Sequence, residues 1–222
     1  MSEAAPLLTP LLSRPVPEPP ARETEAAVDA MFVERRSTRA FSSTAVAPEV
    51  LRSVLEAARW SPSSANGQPW LFVTASTPSA RARLLEGLME PNQRWARHAP
   101  VLIYLFTRPR WDGGPQDGRP NDHADFDAGA AWMSLALQAH RLGLSAHAMG
   151  GVHRDRMAAL AGVDPATYRP VIAIALGYPL PPDQMPVEMR ERERPSTRRS
   201  LREIVRSLDD PEPTPLAGPV FP

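Results

Sequence analysis

The run "ERRSTRAF" places Arg35, Arg36, Ser37 and Arg39 within one short segment. A guanidinium is a planar fork of donors that grips phosphate bidentately, and a serine hydroxyl adds another donor. The same residues also suit a solvated helix C-terminus, where the macrodipole favours cations. A second basic run, "ERPSTRRSLREI", carries Arg194, Arg198, Arg199 and Arg202. Glu188, Glu191, Glu193 and Glu203 interleave with it, which on spacing alone is the pattern of a mixed-charge surface. Between the two lies "SPSSANGQPW" (61–70), with Pro62, Ser63, Ser64 and Asn66 in an uncharged loop. It holds more hydrogen-bonding capacity than a connector needs. Further on, "AHAMGG" sets Met149 before Gly150 and Gly151. Paired glycines let backbone approach a ligand closely, although an ordinary strand-to-helix turn reads equally well.

Other chemistries find no footing. The chain has no Cys, which removes disulfides, thiolate catalysis and sulfur-ligated metals. It also has no Lys, so its basic residues are all Arg; Schiff-base chemistry and the P-loop lysine are excluded. "HRD" at 153–155 lacks the companions of a kinase catalytic loop. "NDHADFD" (121–127) lacks calcium-loop spacing, and Asp122 or Asp125 reads as a helix N-cap. His98, His140, His147 and His153 form no metal-binding spacing, and there is no G-x-S-x-G elbow.

The elements that must position these residues follow from periodicity. Helical spacing marks "TEAAVDAMFVERR", with Thr24 as its expected cap, then "PEVLRSVLEAARW", "PSARARLLEGLM", the long "DFDAGAAWMSLALQAHRLGL", "RDRMAALAGV" and "SLREIVRSL". "WLFVTAS", "PVLIYLFT" and "YRPVIAIALGYP" read as strands and "SAHAM" as a weaker one, giving an α+β chain. Pro-rich segments at 1–22 and 209–222 bracket a domain at 23–208, and the irregular 108–122 loop is long enough to be functional. The 25 basic and 25 acidic residues cancel, so no strongly basic field points to nucleic acid. The N-terminus reads as neither signal peptide nor membrane span, and the expectation is a cytoplasmic protein with no membrane partner.

"RRSTRAF", "SPSSANGQPW", "PNQRWARHAP", "DAGAAWMSLALQAHRLGL", "AMGG" and the late basic run, in that order, resemble the FMN-dependent nitroreductase family over about residues 28–207. The resemblance implies a nitroreductase-like fold, a central mainly antiparallel or mixed sheet flanked by helices, in a homodimer with an extensive interface. It implies that Arg35 and Ser37, helped by Arg36, bind the FMN phosphate and ribityl chain, and that Arg39 reaches the N1/O2 edge of the ring. Pro62, Ser63, Ser64 and Asn66 would contact flavin from the partner subunit, with Gln68 supporting the loop. Gly150 or Gly151 would offer a backbone N–H near N5. Met149 stands where many relatives have Glu or Ile. Asn92 would face flavin or substrate, and one or both of Arg198 and Arg199 would complete the phosphate site.

The implied activity is hydride transfer from NAD(P)H through FMN to a nitroaromatic, quinone or similar small-molecule acceptor, by a ping-pong mechanism without a catalytic side chain. Two alternatives stand beside it. One is a specialised relative that dehydrogenates, dehalogenates or fragments flavin. The other is a non-catalytic flavin-binding or redox-sensing module.

Overall fold

The computed structural model describes residues 22–185 and 187–209. Most of both Pro-rich segments therefore lies outside the described residues. The structure is built around β2 (Val101–Thr107), which is buried along its whole length. Its apolar run "VLIYLFT" shows no polar alternation because both of its faces are covered. Val101, Ile103 and Leu105 point into one core, while Leu102, Tyr104 and Phe106 point into another.

Around it run β1 (Trp70–Ala75), β3 (Ser145–Met149) and β4 (Arg169–Gly177), in the order β1-β2-β4-β3. Every pairing is antiparallel. Pro170 has no N–H to give the β2–β4 ladder, and the register shifts there, between Leu105 and Phe106.

One face of the sheet is covered by α2 (Pro48–Arg59) and α5 (Ala124–Arg141). In α2, Pro48 suits the first turn, and Val50, Val54 and Ala58 recur every four residues as its buried stripe. The facing positions of α5 are mostly alanines, Ala128, Ala131, Ala136 and Ala139, with Leu135 filling the space between the elements. The other face is covered by α3 (Pro78–Leu85), α4 (Glu90–Ala96) and α6 (Arg154–Ala161) through Leu84, Leu88, Trp95 and Met157. Among the described residues no helix is long and apolar enough to cross a membrane.

Two local expectations are corrected, and one helix had not been foreseen. The first helix does not begin at a Thr24 cap: α1 spans only Ala30–Glu34 and is capped by Asp29, whose carboxylate accepts from the Met31 N–H at 2.9 Å. Its apolar residues lack a surface to pack on in this chain; Val28 and Phe32 are exposed, and packing is what lengthens a marginal helix. Neither Asp122 nor Asp125 caps α5, whose N-cap position is His123. Asp125 instead accepts from the Thr107 hydroxyl at 3.0 Å and pairs with Arg169 at 2.7 Å. Finally, "EPNQRWA" forms α4, with Pro91 in its first turn, although its apolar residues are too few to mark a helix by period. The chain closes with α7 (Val187–Arg190) and α8 (Leu201–Ile204), the latter fixed by a Ser200–Glu203 capping box.

The α5 packing is directly testable. Leu135 is fully buried among α2, α5 and the sheet. Leu135→Ala should lower unfolding free energy by about 2–5 kcal/mol, read as a lower urea midpoint at unchanged slope.

Candidate functional site

The C-terminal end of α1, the start of β3 and the segment after α7 meet at a cleft of about 270 Å³. Arg35, Arg36, Ser37 and Arg39 line it from one side. His147 of β3 and Arg198 of the late basic run line it from others. The two basic runs, more than 150 residues apart, therefore face one space. Arg199 is exposed and does not line it.

The cleft is held open by specific bonds. Ser145 donates through its hydroxyl to the Arg36 carbonyl at 2.7 Å and accepts from the Thr38 N–H at 3.3 Å, which ties "RRSTR" to β3. The Arg39 N–H donates to the buried Glu193 carboxylate at 2.7 Å, which fixes the late segment against the first. Arg35 donates to the Ser37 hydroxyl at 3.2 Å, and Arg198 to the Ser196 hydroxyl at 2.9 Å.

Cations dominate the electrostatics. Burial, and then the charge of Arg198, hold the Arg35 guanidinium below its ordinary pKa. Arg22 is lowered likewise, first by burial and then by Arg198, Arg36 and Arg35. Burial and, after it, neighbouring cations thus disfavour the charged forms, and an anion in the cleft would offset both.

Sequence reasoning did not assign Arg22, Glu193 or His147 to this site. Arg22 fell within the Pro-rich segment, yet its guanidinium donates to the Val33 carbonyl at 2.7 Å and lines the cleft. Glu193 was one of several interleaved acids, with no periodicity to single it out. His147 sat on a weak strand. Its Nδ1 lies 2.9 Å from the Thr38 carbonyl oxygen, which can only accept, so Nδ1 carries the proton and Nε2 is left as an acceptor. The imidazole rests against Trp95, with ring centroids 4.6 Å apart, and Arg39 lies 6.0 Å from the same indole.

Near the end of β3, Gly150 is exposed, and a Cβ there would meet nothing within 4 Å. At Gly151 a Cβ would stand 2.7 Å from the Asn92 amide nitrogen, which donates to the Gly151 carbonyl at 3.0 Å. Gly151 is thus required by Asn92, whereas Gly150 leaves space unused by its own chain. Met149 turns its side chain into the core, so only its backbone is available to a ligand.

The loop 61–70 stands apart from the cleft: none of Pro62, Ser63, Ser64 and Asn66 lines it. The loop lies on α5 instead. The Ser64 N–H donates to the buried Asp127 carboxylate at 3.1 Å, and the Ser61 and Ser134 hydroxyls share a bond of 2.7 Å. Gln68 braces the loop from within, donating to the Asn66 carbonyl at 3.2 Å while its N–H donates to the Ser63 hydroxyl at 3.0 Å. Ala65, Asn66 and Gln68 are all left-handed, with φ of 47°, 56° and 44°. Among the described residues, no three His, Cys, Asp or Glu side chains gather as a metal site.

Residues 32–94 and 86–178 match the family model described as the Nitroreductase family. A protein of Xanthomonas oryzae pv. oryzae, provisionally named NADH dehydrogenase/NAD(P)H nitroreductase, is 32% identical over 142 residues, which are 57% of this chain and 72% of that one. A Lactiplantibacillus plantarum CLA biosynthesis enone reductase is 27% identical over 182 residues, 67% of this chain and 83% of that one. Among solved structures, an oxidoreductase containing FMN superposes with a TM-score of 0.78 at 36% identity, covering 87% of this chain and 97% of its own.

Two imidazoles, His140 buried and His147 half-buried, make stability depend on pH. Burial lowers the pKa of His147, and burial outweighs the nearby Glu34 carboxylate to lower that of His140. The unfolded chain therefore takes up protons first, near its ordinary value of 6.5, and the native state is progressively disfavoured as pH falls through the depressed folded values. The urea midpoint should fall between about pH 7 and about pH 5, and His147→Gln should flatten that dependence. An unchanged slope in the variant would contradict the assignment.

Proposed function

The chain belongs to the nitroreductase family, and from that premise we propose that it is an FMN-dependent oxidoreductase working as a homodimer, with NAD(P)H as reductant. The observation that carries this reading is the cleft in which Arg35, Arg36, Ser37 and Arg198 converge, with cations set against one another at a half-buried site. A phosphate would relieve that repulsion and accept their donors. The unfilled space beside Gly150 suits a flat ring approaching the backbone.

When bound, FMN supplies the redox chemistry, taking hydride from NAD(P)H and passing it to a nitroaromatic, quinone or similar acceptor in a ping-pong sequence. The chain's own residues bind and orient. Arg35 and Ser37, with Arg36 and Arg198, hold the phosphate and ribityl chain; Arg199, outside the cleft, at most adds to its field. Arg39, steadied by the bond from its N–H to Glu193, supplies the positive charge that favours electron density at the N1/O2 edge. Gly150 or Gly151 would offer a backbone N–H to the ring beside Met149, and Asn92 fixes that backbone through its bond to the Gly151 carbonyl.

The loop bearing Pro62, Ser63, Ser64 and Asn66 is braced on α5 away from its own chain's cleft, which supports its delivery to the cleft of a second copy. Phe126, 80% exposed on α5, together with Met133 and Trp60, forms an apolar surface suited to covering by that copy.

Purified protein should be yellow and oxidise NAD(P)H with a nitroaromatic or quinone. A colourless protein that takes up no added FMN would sink the reading. Arg35→Ala should weaken FMN binding about tenfold or more, and Ser64→Ala should weaken it without lowering stability. If the site is shared, co-refolding these two variants regenerates intact sites, about one quarter of all sites at random pairing.

A second reading, a member specialised for one class of acceptor, is favoured by the loop 108–122. This loop is ordered by its own bonds, such as Trp111 N–H to the Arg119 carbonyl at 2.9 Å and Gly118 N–H to the Trp111 carbonyl at 3.0 Å. It lays Trp111 on the 61–70 loop so closely that a Cβ at Gly67 would stand 2.7 Å from the ring. Enones join nitroaromatics and quinones as candidates through the enone reductase relative. Trp111→Ala should raise the acceptor KM about threefold or more while leaving FMN affinity unchanged; equal loss of both would assign the tryptophan to loop structure alone.

A further inference from the structure

A second basic cavity, of about 300 Å³, opens where β1 ends and β2 begins. Arg81 of α3, Arg97 just beyond α4, and His98 line it, together with Ser43 and Ser76. Val46 and Pro100 supply an apolar wall. No lining residue is shared with the arginine cleft, and no carboxylate lines the cavity.

The two guanidiniums are positioned but not neutralised. Arg81 is half-buried and donates through Nη1 to the Ala99 carbonyl at 2.9 Å. Its Nε is buried without a hydrogen-bond partner. Arg97 donates through Nε to the Gln93 carbonyl at 3.1 Å. Both bonds end on neutral carbonyls, so the cationic charge is steadied rather than cancelled. A charged donor withdrawn from water without a partner is costly and points to a missing acceptor. Two guanidiniums, an imidazole and two hydroxyls around one cavity form the donor set that a tetrahedral oxyanion uses. The volume lies at the small end of ligand sites, yet exceeds what a bare ion needs, and the apolar wall gives an organic group something to rest on.

We propose that this cavity is a second anion site, separate from the arginine cleft, that takes the phosphate group of a small phosphorylated molecule or free phosphate. The proposal does not depend on the flavin reading, because it uses none of the same residues.

Calorimetric titration of the full-length protein with inorganic phosphate, at constant ionic strength, tests it. Arg35→Gln weakens the arginine cleft and should leave saturable phosphate binding in place. Arg97→Gln, at an exposed position, should weaken the binding that survives in the Arg35→Gln background about tenfold or more. Ser76→Asp, which sets a carboxylate at the cavity, should do the same and serves if the arginine variant fails to fold. Loss of all binding in Arg35→Gln, or undiminished binding in both cavity variants, would overturn the proposal. Repeating the titration with ribose 5-phosphate separates the sources: tighter binding than phosphate identifies a monoester, equal binding free phosphate, and either result requires the site.

Discussion

The repulsion among half-buried guanidiniums is the constraint on which the rest of the structure depends. Arg22, Arg35, Arg36 and Arg198 gather at one cleft against their own electrostatics: burial first, and the neighbouring guanidiniums second, lower the pKa of Arg22 and Arg35. Within the cluster, a bond of 3.4 Å from the Arg22 guanidinium to the Arg35 carbonyl helps, and the scaffold around it does the rest. Ser145 ties the first basic run to β3, and buried Glu193 ties the late segment to Arg39. Both tethers join backbone to side chain, so they fix where the chain runs and leave the guanidinium forks to face the cleft. Such a site is preorganised for an anion, because the cost of gathering the cations is met on folding and not on binding.

Those tethers hold because the sheet cannot shift. β2 is buried on both faces, with α2 and α5 on one and α3, α4 and α6 on the other. A slip of one residue would exchange its two faces and transfer Tyr104 and Phe106 into the alanine-lined layer. β4 and β3 inherit that register through antiparallel pairing, from Val101 opposite Leu176 to Ala146 opposite the same Leu176. Ser145 and His147, one beside the first basic run and the other in the cleft, are therefore placed by packing more than twenty residues away in sequence from either partner.

How much of this was legible in the sequence differed by the range of the interaction. The helices α2, α5 and α6 follow from periodicity, and the central strands from short unbroken apolar runs, since burial imposes both locally. The α4 turn and the true start of α1 did not, because a short helix takes its ends from tertiary contacts: α4 from packing around Trp95, α1 from the absence of a surface for Phe32. At the site, "RRSTR" was legible by composition. On spacing alone the late arginines were not, because interleaved acids made them look like a solvated face; the family resemblance pointed to Arg198 and Arg199, and of the two Arg198 lines the same cleft. His147 left no signal, since its role rests on a single bond to Thr38, over a hundred residues away.

The loop at 61–70 joins these strands of argument. Three non-glycine residues, Ala65, Asn66 and Gln68, occupy the left-handed region within four positions. Each costs about 1–2 kcal/mol, least for asparagine, so the conformation persists only where surrounding bonds over-determine it. They do so here: Asp127 holds the Ser64 N–H, Ser134 holds Ser61, and Gln68 closes the loop on Asn66 and Ser63. A relaxed connector between α2 and β1 would need none of this. The strain has no use within the chain's own cleft, since the loop is not part of it, whereas it does shape a rigid polar edge beside the exposed face of α5. Spending stability on that edge is intelligible when a second copy sits across it, and the homodimer proposed above is the arrangement in which a strained loop and an incomplete cleft supply each other.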